Sequence, residues 1–276
     1  MESHVRTEPL LQEPMFEPEG NRFEIFLRIV ATGFCFVTFG VVTLTAGVVL
    51  FSAMLVMHRT VEGRLSASRS IVRWWFSTFV EIMRLLGVLD YEFHGVEKLQ
   101  RPGLLILANH PSLIDVVIIG SLVPRFCAVV RSNLMKNPVI RVAIEGAGYI
   151  TNDQGLGLVH GAEKALAQGD DVVIFPQGTR TPENGDIKFQ RGAANVAIRN
   201  RRAVTPVVIT CQPRGLARYQ RWYQVPPRRM HFVIRVHDDL QVDPFLEAGV
   251  PEALAVRRLN AHLEAFFEQE SRRATP

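Results

Sequence analysis

Residues 104–115 read LLILANHPSLID, an apolar run that ends in a polar turn. Leu104 to Ala108 are short, continuous and uncharged, as suits a strand buried on both faces. Asn109, His110 and Pro111 follow, and Asp115 comes after Ser112, Leu113 and Ile114. A residue before proline avoids the right-handed helical region, so His110 is expected to stay extended. Pro111 suits the first position of a helix. Asp115 then stands one turn on, and helical side chains lean toward the N-terminus, so its carboxylate leans back toward His110. The helix N-terminus disfavours an imidazolium. Asp115 would hold one ring nitrogen in its donor form and leave the other to take a proton from a hydroxyl. That is a general base with its orienting acid and no protein nucleophile. On spacing alone, a histidine that merely caps a helix is the commoner outcome.

A second strand-to-loop junction carries Phe175-Pro176-Gln177-Gly178-Thr179-Arg180, after the apolar strand Val172–Phe175. Gly178 allows close backbone approach. Arg180 is able to grip an anion bidentately, and Lys188 and Arg191 in IKFQRG extend such a site. The competing reading is a turn with solvated cations. Further strands are expected at Phe126–Val130, Val204–Ile209 and His231–Val236. Helical patterns lie near 111–122, 134–145, 158–168, 192–199 and 252–270. The alternation implies an α/β fold, a mixed, mostly parallel sheet flanked by helices, over residues 91–276.

The N-terminal third is different. Residues 1–24 are a polar tail rich in Glu and Pro. From Ile29 to Met57 there is no formal charge, and about 20 apolar residues suffice to span a bilayer. Residues 25–57 are therefore expected to form a transmembrane helix, or a re-entrant hairpin broken near Gly40 or Gly47. A signal peptide fits poorly, because the run is long and an acidic stretch precedes it. Arg59, Arg64, Arg69, Arg73 and Arg84 follow the run, which places its C-terminal side in the cytoplasm. Within 58–90, polar residues at Ser70, Arg73, Ser77, Glu81 and Arg84 make one narrow stripe on an otherwise apolar helix rich in Trp and Phe. Such a helix suits the membrane interface; the alternative is a helix packed on the following domain.

Together the two junctions resemble the glycerolipid acyltransferase family, which includes lysophosphatidic acid acyltransferases. NHPSLID carries the family's first motif, a His and an Asp separated by four residues. FPQGTR matches five of the six positions of its third motif, Phe-Pro-Glu-Gly-Thr-Arg. VTPVVI at 204–209 is compatible with its fourth. The resemblance covers roughly Tyr91 to Arg235. WYQVPPRRMHF at 222–232 is similar to a subgroup associated with aryl-polyene-type lipid pathways.

The resemblance implies His110 and Asp115 as the catalytic pair. It implies Asn109, Asn152, Gln177, Gly178, Thr179, Arg180, Lys188 and Arg191 as the substrate-binding set. It also implies acyl transfer to a lipid hydroxyl from acyl-CoA or acyl-carrier protein, with no metal and no bound cofactor. Membrane lipids are the expected partners, with other membrane biosynthetic enzymes as further candidates. Two positions depart from the pattern. Gln177 stands where the third motif has Glu, and Asn152 stands where the second motif, Gly-x-x-Phe-Ile-x-Arg, has an Arg that helps bind the acceptor phosphate. The loss of that cation predicts a weaker grip on lysophosphatidate and a differently headed acceptor. Because of both departures, a catalytically silent lipid-binding scaffold is the rival reading; a thioesterase is a third.

Bulk properties fit this frame. Hydrophobic residues make up 47% and mean hydropathy is +0.11, an excess concentrated near the N-terminus. A net charge of +4 suits anionic membranes, phosphates and nucleic acid equally. Cys35, Cys127 and Cys211 are odd in number and far apart, so no disulfide framework or zinc site is expected. Gly155–Gly161 lacks the third glycine of a dinucleotide loop, having His160 there. No Gly-x-Ser-x-Gly elbow exists, which removes the usual α/β-hydrolase reading. The basic residues Arg214, Arg218, Arg221, Arg228 and Arg229 suit headgroups, a carrier protein or solvent, and no nucleic-acid-binding motif accompanies them.

Overall fold

The structure is a computed structural model that describes residues 21–57, 60–152, 156–182, 185–246 and 248–273. The polar tail up to residue 20 and the start of the glycine-rich stretch, 153–155, lie outside the described residues. Two helices come first, α1 (Arg22–Met57) and α2 (Val61–Leu85). The strands are β1 (Leu89–His94), β2 (Leu105–Ala108), β3 (Phe126–Arg131), β4 (Ile150–Asn152), β5 (Asp171–Ile174), β6 (Val204–Gln212) and β7 (Met230–Val236). Between and after them come α3 (Asp115–Leu122), α4 (Pro138–Ala147), α5 (Leu156–Ala167), α6 (Gly192–Arg199) and α7 (Glu252–Arg273).

The strands form one sheet in the order β1-β7-β6-β2-β5-β3-β4. Every neighbouring pair is parallel except β6 with β7. The sheet is thus mixed and mostly parallel, as expected from the sequence. Its alternation sets two cores. Ile106, Ala108, Val173, Val207 and Ile209 point to one face, under α1, α2 and α3. Leu105, Leu107, Val172, Ile174, Val204 and Val208 point to the other, under α5, α6 and α7. Both faces are covered, which is why the central strands read as continuous apolar runs rather than as alternating ones.

Three expectations change. First, α1 is continuous through Gly40 and Gly47, so there is no hairpin break. At 36 residues it is about 54 Å long, more than a bilayer core of about 30 Å. Secondly, α2 does not stand apart at an interface; it docks on the domain. Gly120 of α3 makes room for it, since an added Cβ there would lie 2.5 Å from the Phe76 ring. Phe79, Val80 and Met83 are buried, while Trp74 remains 66% exposed. The Arg69 guanidinium is buried in an ion pair with Asp170, and its Nε donates to the Ala147 carbonyl at 3.0 Å. Thirdly, α3 begins at Asp115, not at Pro111. The intervening amide and hydroxyl groups bond elsewhere: Leu113 N to the Leu216 carbonyl at 3.1 Å and Ser112 Oγ to the Gly215 carbonyl at 3.0 Å.

Candidate active site

The loops that follow β2 and β5, neighbours in the sheet, meet at its C-terminal edge, the usual place for a ligand site in parallel α/β folds. They are zipped together. His110 N donates to Gln177 Oε1 at 2.9 Å, and Thr181 N donates to the His110 carbonyl at 2.6 Å. Asn109 anchors the first loop from below. Its Nδ2 donates to the Ile209 carbonyl at 2.8 Å and its Oδ1 accepts from Ile209 N at 2.7 Å. Only 4% exposed, Asn109 therefore supports the loop and is not presented to a substrate.

His110 Nδ1 lies 2.8 Å from Asp115 Oδ2. Asp115 is fully buried, while the imidazole keeps 15% of its side-chain surface. With the carboxylate ionised, Nδ1 carries the proton and donates, which leaves Nε2 to accept one. Phe175 lies against the imidazole, ring centroids 4.7 Å apart. Burial pushes the Asp115 carboxyl above its ordinary range. The bond to His110, the Ser112 N–H at 2.7 Å and the charge of Arg180 pull it back toward ionisation. Its place in the first turn of α3 favours the same ionised form.

Beside this pair lies a cavity of about 660 Å³. Arg131 at the end of β3, Asn152 at the end of β4, and Gln177 and Gly178 after β5 line one wall. Arg191 at the N-cap of α6, Asn195 and Arg199 line another. Among the described residues no acidic side chain belongs to the lining. His110 stands outside it, one hydrogen bond away through Gln177. Gln177 works on both sides. Its Oε1 also accepts from Thr181 Oγ1 at 3.1 Å, while its buried Nε2 has no partner among the described residues.

Of the expected binding set, Asn152, Gln177, Gly178 and Arg191 meet around the cavity. Arg180 does not; its Nη1 donates to the Leu216 and Ala217 carbonyls at 2.8 and 2.9 Å. Lys188 is exposed and Thr179 half-buried, both outside the lining. The Gly178 amide donates to the Phe175 carbonyl at 2.9 Å. The residue that sequence reasoning missed is Arg131. It ends β3, directly opposite Asn152 in the register. A cation one residue past an apolar strand run was the available signal. Among the described residues no group of three His, Cys, Asp or Glu side chains is placed to hold a metal.

Residues 90–210 match the sequence model of the Acyltransferase family. A Caenorhabditis elegans protein, provisionally named a 1-acyl-sn-glycerol-3-phosphate acyltransferase, is 29% identical over 202 residues, 66% of this chain and 67% of that one. The 1-acyl-sn-glycerol-3-phosphate acyltransferase of Pseudomonas aeruginosa is 23% identical over 75% of this chain and 79% of its own. Other curated relatives are matched over about half their length, 46% and 54% in two cases. The crystal structure of the Thermotoga maritima lysophosphatidate acyltransferase PlsC superposes with a TM-score of 0.65 at 19% identity, covering 92% of this chain and 96% of that one, which shows a shared fold. Over residues 90–210 the sequence thus matches the Acyltransferase family, and the chain is similar in sequence to 1-acyl-sn-glycerol-3-phosphate acyltransferases and in fold to PlsC.

Proposed function

We propose that the chain transfers an acyl group from a cytoplasmic thioester, acyl-CoA or acyl-carrier protein, to the hydroxyl of an anionic-headed monoacyl lipid, with His110 as general base. The observation that carries this is the 2.8 Å contact between His110 and a fully buried Asp115, at the sheet edge next to an arginine-lined cavity. His110 Nε2 takes the acceptor's hydroxyl proton. The alkoxide oxygen adds to the thioester carbonyl, the C–S bond breaks, and the imidazolium returns the proton to the leaving thiolate. Asp115 holds the tautomer and offsets the transient charge. No acyl-enzyme forms.

The expected weakness toward phosphate softens here. Asn152 supplies no charge, but Arg131 stands opposite it and Arg191 across the cavity. Two fixed cations and neutral amides suit a phosphate headgroup. The test is a thioester-dependent transfer assay with the full chain in vesicles. Lysophosphatidate and a neutral monoacylglycerol compete for one acyl donor, and products are separated by mass. Preference for lysophosphatidate supports the reading; preference for the neutral acceptor defeats the headgroup assignment while leaving acyl transfer standing.

The outer surface of α1 supports a reaction at a membrane. Phe23, Phe26, Val30, Phe34, Val37 and Val41 are all more than half exposed there, and among the described residues this helix is the one long and apolar enough to cross a bilayer. The arginine bias supports a catalytic domain on the cytoplasmic side. Protease should therefore digest the domain in vesicles whose cytoplasmic face is outward; protection would reverse the orientation.

A further inference from the structure

The connection from β6 to β7 carries five arginines and no acidic residue between Pro213 and Arg229. Its inner end is built into the site. The Gly215 carbonyl accepts from Ser112 Oγ, and the Leu216 carbonyl accepts from both Leu113 N and Arg180 Nη1. Leu216 and Ala217 are buried, 4% and 3% exposed. The outer end is the reverse: Tyr219, Trp222 and Tyr223 are 80%, 46% and 41% exposed. Arginines accompany them. The Arg218 guanidinium lies 4.8 Å from the Tyr219 ring centroid, and Arg221 Nη1 donates to the Tyr223 hydroxyl at 2.6 Å.

This outer end is fixed to α1. Arg28 Nη1 donates to the Pro226 carbonyl at 2.9 Å. Trp222 lies so close to Gly33 that a Cβ there would stand 3.0 Å from the indole. The loop thus continues the apolar outer surface of α1 with aromatic rings and cations. Tyr and Trp sit well at the headgroup level, where one end is apolar and the other wet. Arginines at an exposed surface are drawn to an anionic leaflet.

We propose that Arg218–Tyr223 is a bilayer-contact surface selective for anionic lipid, which seats the rings at headgroup depth and holds the mouth of the site against the membrane. The proposal rests on the membrane reading of α1 and adds a second, charge-selective contact. A carrier protein is the competing partner for the same arginines. Two features favour lipid: the continuity with α1, and three exposed aromatic rings among the cations.

The full chain carrying Trp74→Phe and Trp75→Phe keeps Trp222 as its one tryptophan. It is reconstituted into phosphatidylcholine vesicles with and without phosphatidylglycerol, and flotation confirms that it is bound. With bromine-labelled lipid present, Trp222 emission should shift to the blue and be quenched, more strongly with phosphatidylglycerol. Each arginine near an anionic surface contributes roughly fivefold in local affinity. Arg218→Gln with Arg221→Gln should therefore lose the stimulation of activity by phosphatidylglycerol, while activity in neutral detergent micelles is unchanged. A floated protein whose Trp222 stays water-exposed and unquenched overturns this surface but not the anchor. Failure to float overturns both. A double variant that keeps its lipid response, yet shows a raised KM for acyl-carrier protein in micelles, assigns the arginines to the carrier and overturns the proposal.

Discussion

Against one face of the sheet lie α1, α2 and α3; against the other lie α5, α6 and α7. Inside, the two layers follow one rule: apolar side chains at strand and helix spacing, closed to water. Outside, they part. The helix α7 buries Val256, Leu259, Leu263 and Phe267 and turns charged residues such as Glu268 and Arg272 outward. The helix α1 buries Thr32 and Cys35 and turns phenylalanines and valines outward. A soluble layer ends in charge because water is its solvent. The α1 layer ends in hydrocarbon, which is stable only where lipid replaces water. The His110–Asp115 pair sits at the sheet edge between these two surroundings.

That contrast is open to direct attack. Phe267→Ala, on the water-facing layer, removes a fully buried ring and should cost about 3–5 kcal/mol. Phe34→Ala on α1 removes a ring that is 57% exposed and should change stability by under about 0.5 kcal/mol in detergent. Chemical denaturation in matched micelles reads both. If Phe34→Ala is as costly as Phe267→Ala, the outer surface of α1 packs on protein and the lipid-facing account is wrong.

The attachment of α2 to the domain should be nearly as sensitive. Asp170 is 1% exposed and meets both Arg69 and Arg125, the latter at 2.9 Å. Asp170→Asn leaves the Arg69 charge buried without its counter-ion, at a cost of about 3–5 kcal/mol. The same denaturation curves measure it. A loss below about 1 kcal/mol would mean that this end of α2 is open to water.

A smaller effect belongs to the cavity. Arg131→Gln removes one charge-assisted contact, worth roughly 1.5–3 kcal/mol against about 1 for a neutral one. The expected outcome is a rise of about tenfold in KM for lysophosphatidate, with little change in kcat. A fall in kcat at unchanged KM would place Arg131 in the chemical step instead.

The sequence made the central strands legible because strands covered on both faces need unbroken apolar runs, as in LLILA and VVI. Two edge-side strands escaped. In β1, Tyr91 and Phe93 share the strand with Asp90, Glu92 and His94, so no clean apolar run appears; β4 is three residues long. The His110–Asp115 contact was foreseen, but for a reason that needed revision. A helix from Pro111 was expected to lean the carboxylate back, whereas the chain between them is a turn held by carbonyls of the β6–β7 connection. Those carbonyls lie about a hundred residues away, beyond any local pattern. Asn109 shows the same limit. It looked like a substrate contact within its motif, and its partner is Ile209. Arg131 left a signal, a cation after the β3 run, but three strand ends assemble its cavity, and no one of them announces that meeting.

The central claim is that a neutral His110, held by Asp115, removes the acceptor's proton. The most direct test is single-turnover acyl transfer by wild type, His110→Ala and Asp115→Asn in the same vesicles, with circular dichroism confirming the fold of each. The account predicts no measurable transfer by His110→Ala. For Asp115→Asn it predicts a rate lower by roughly two to four decades, as when a triad loses its orienting carboxylate. Transfer at near-normal rate by folded His110→Ala would contradict it.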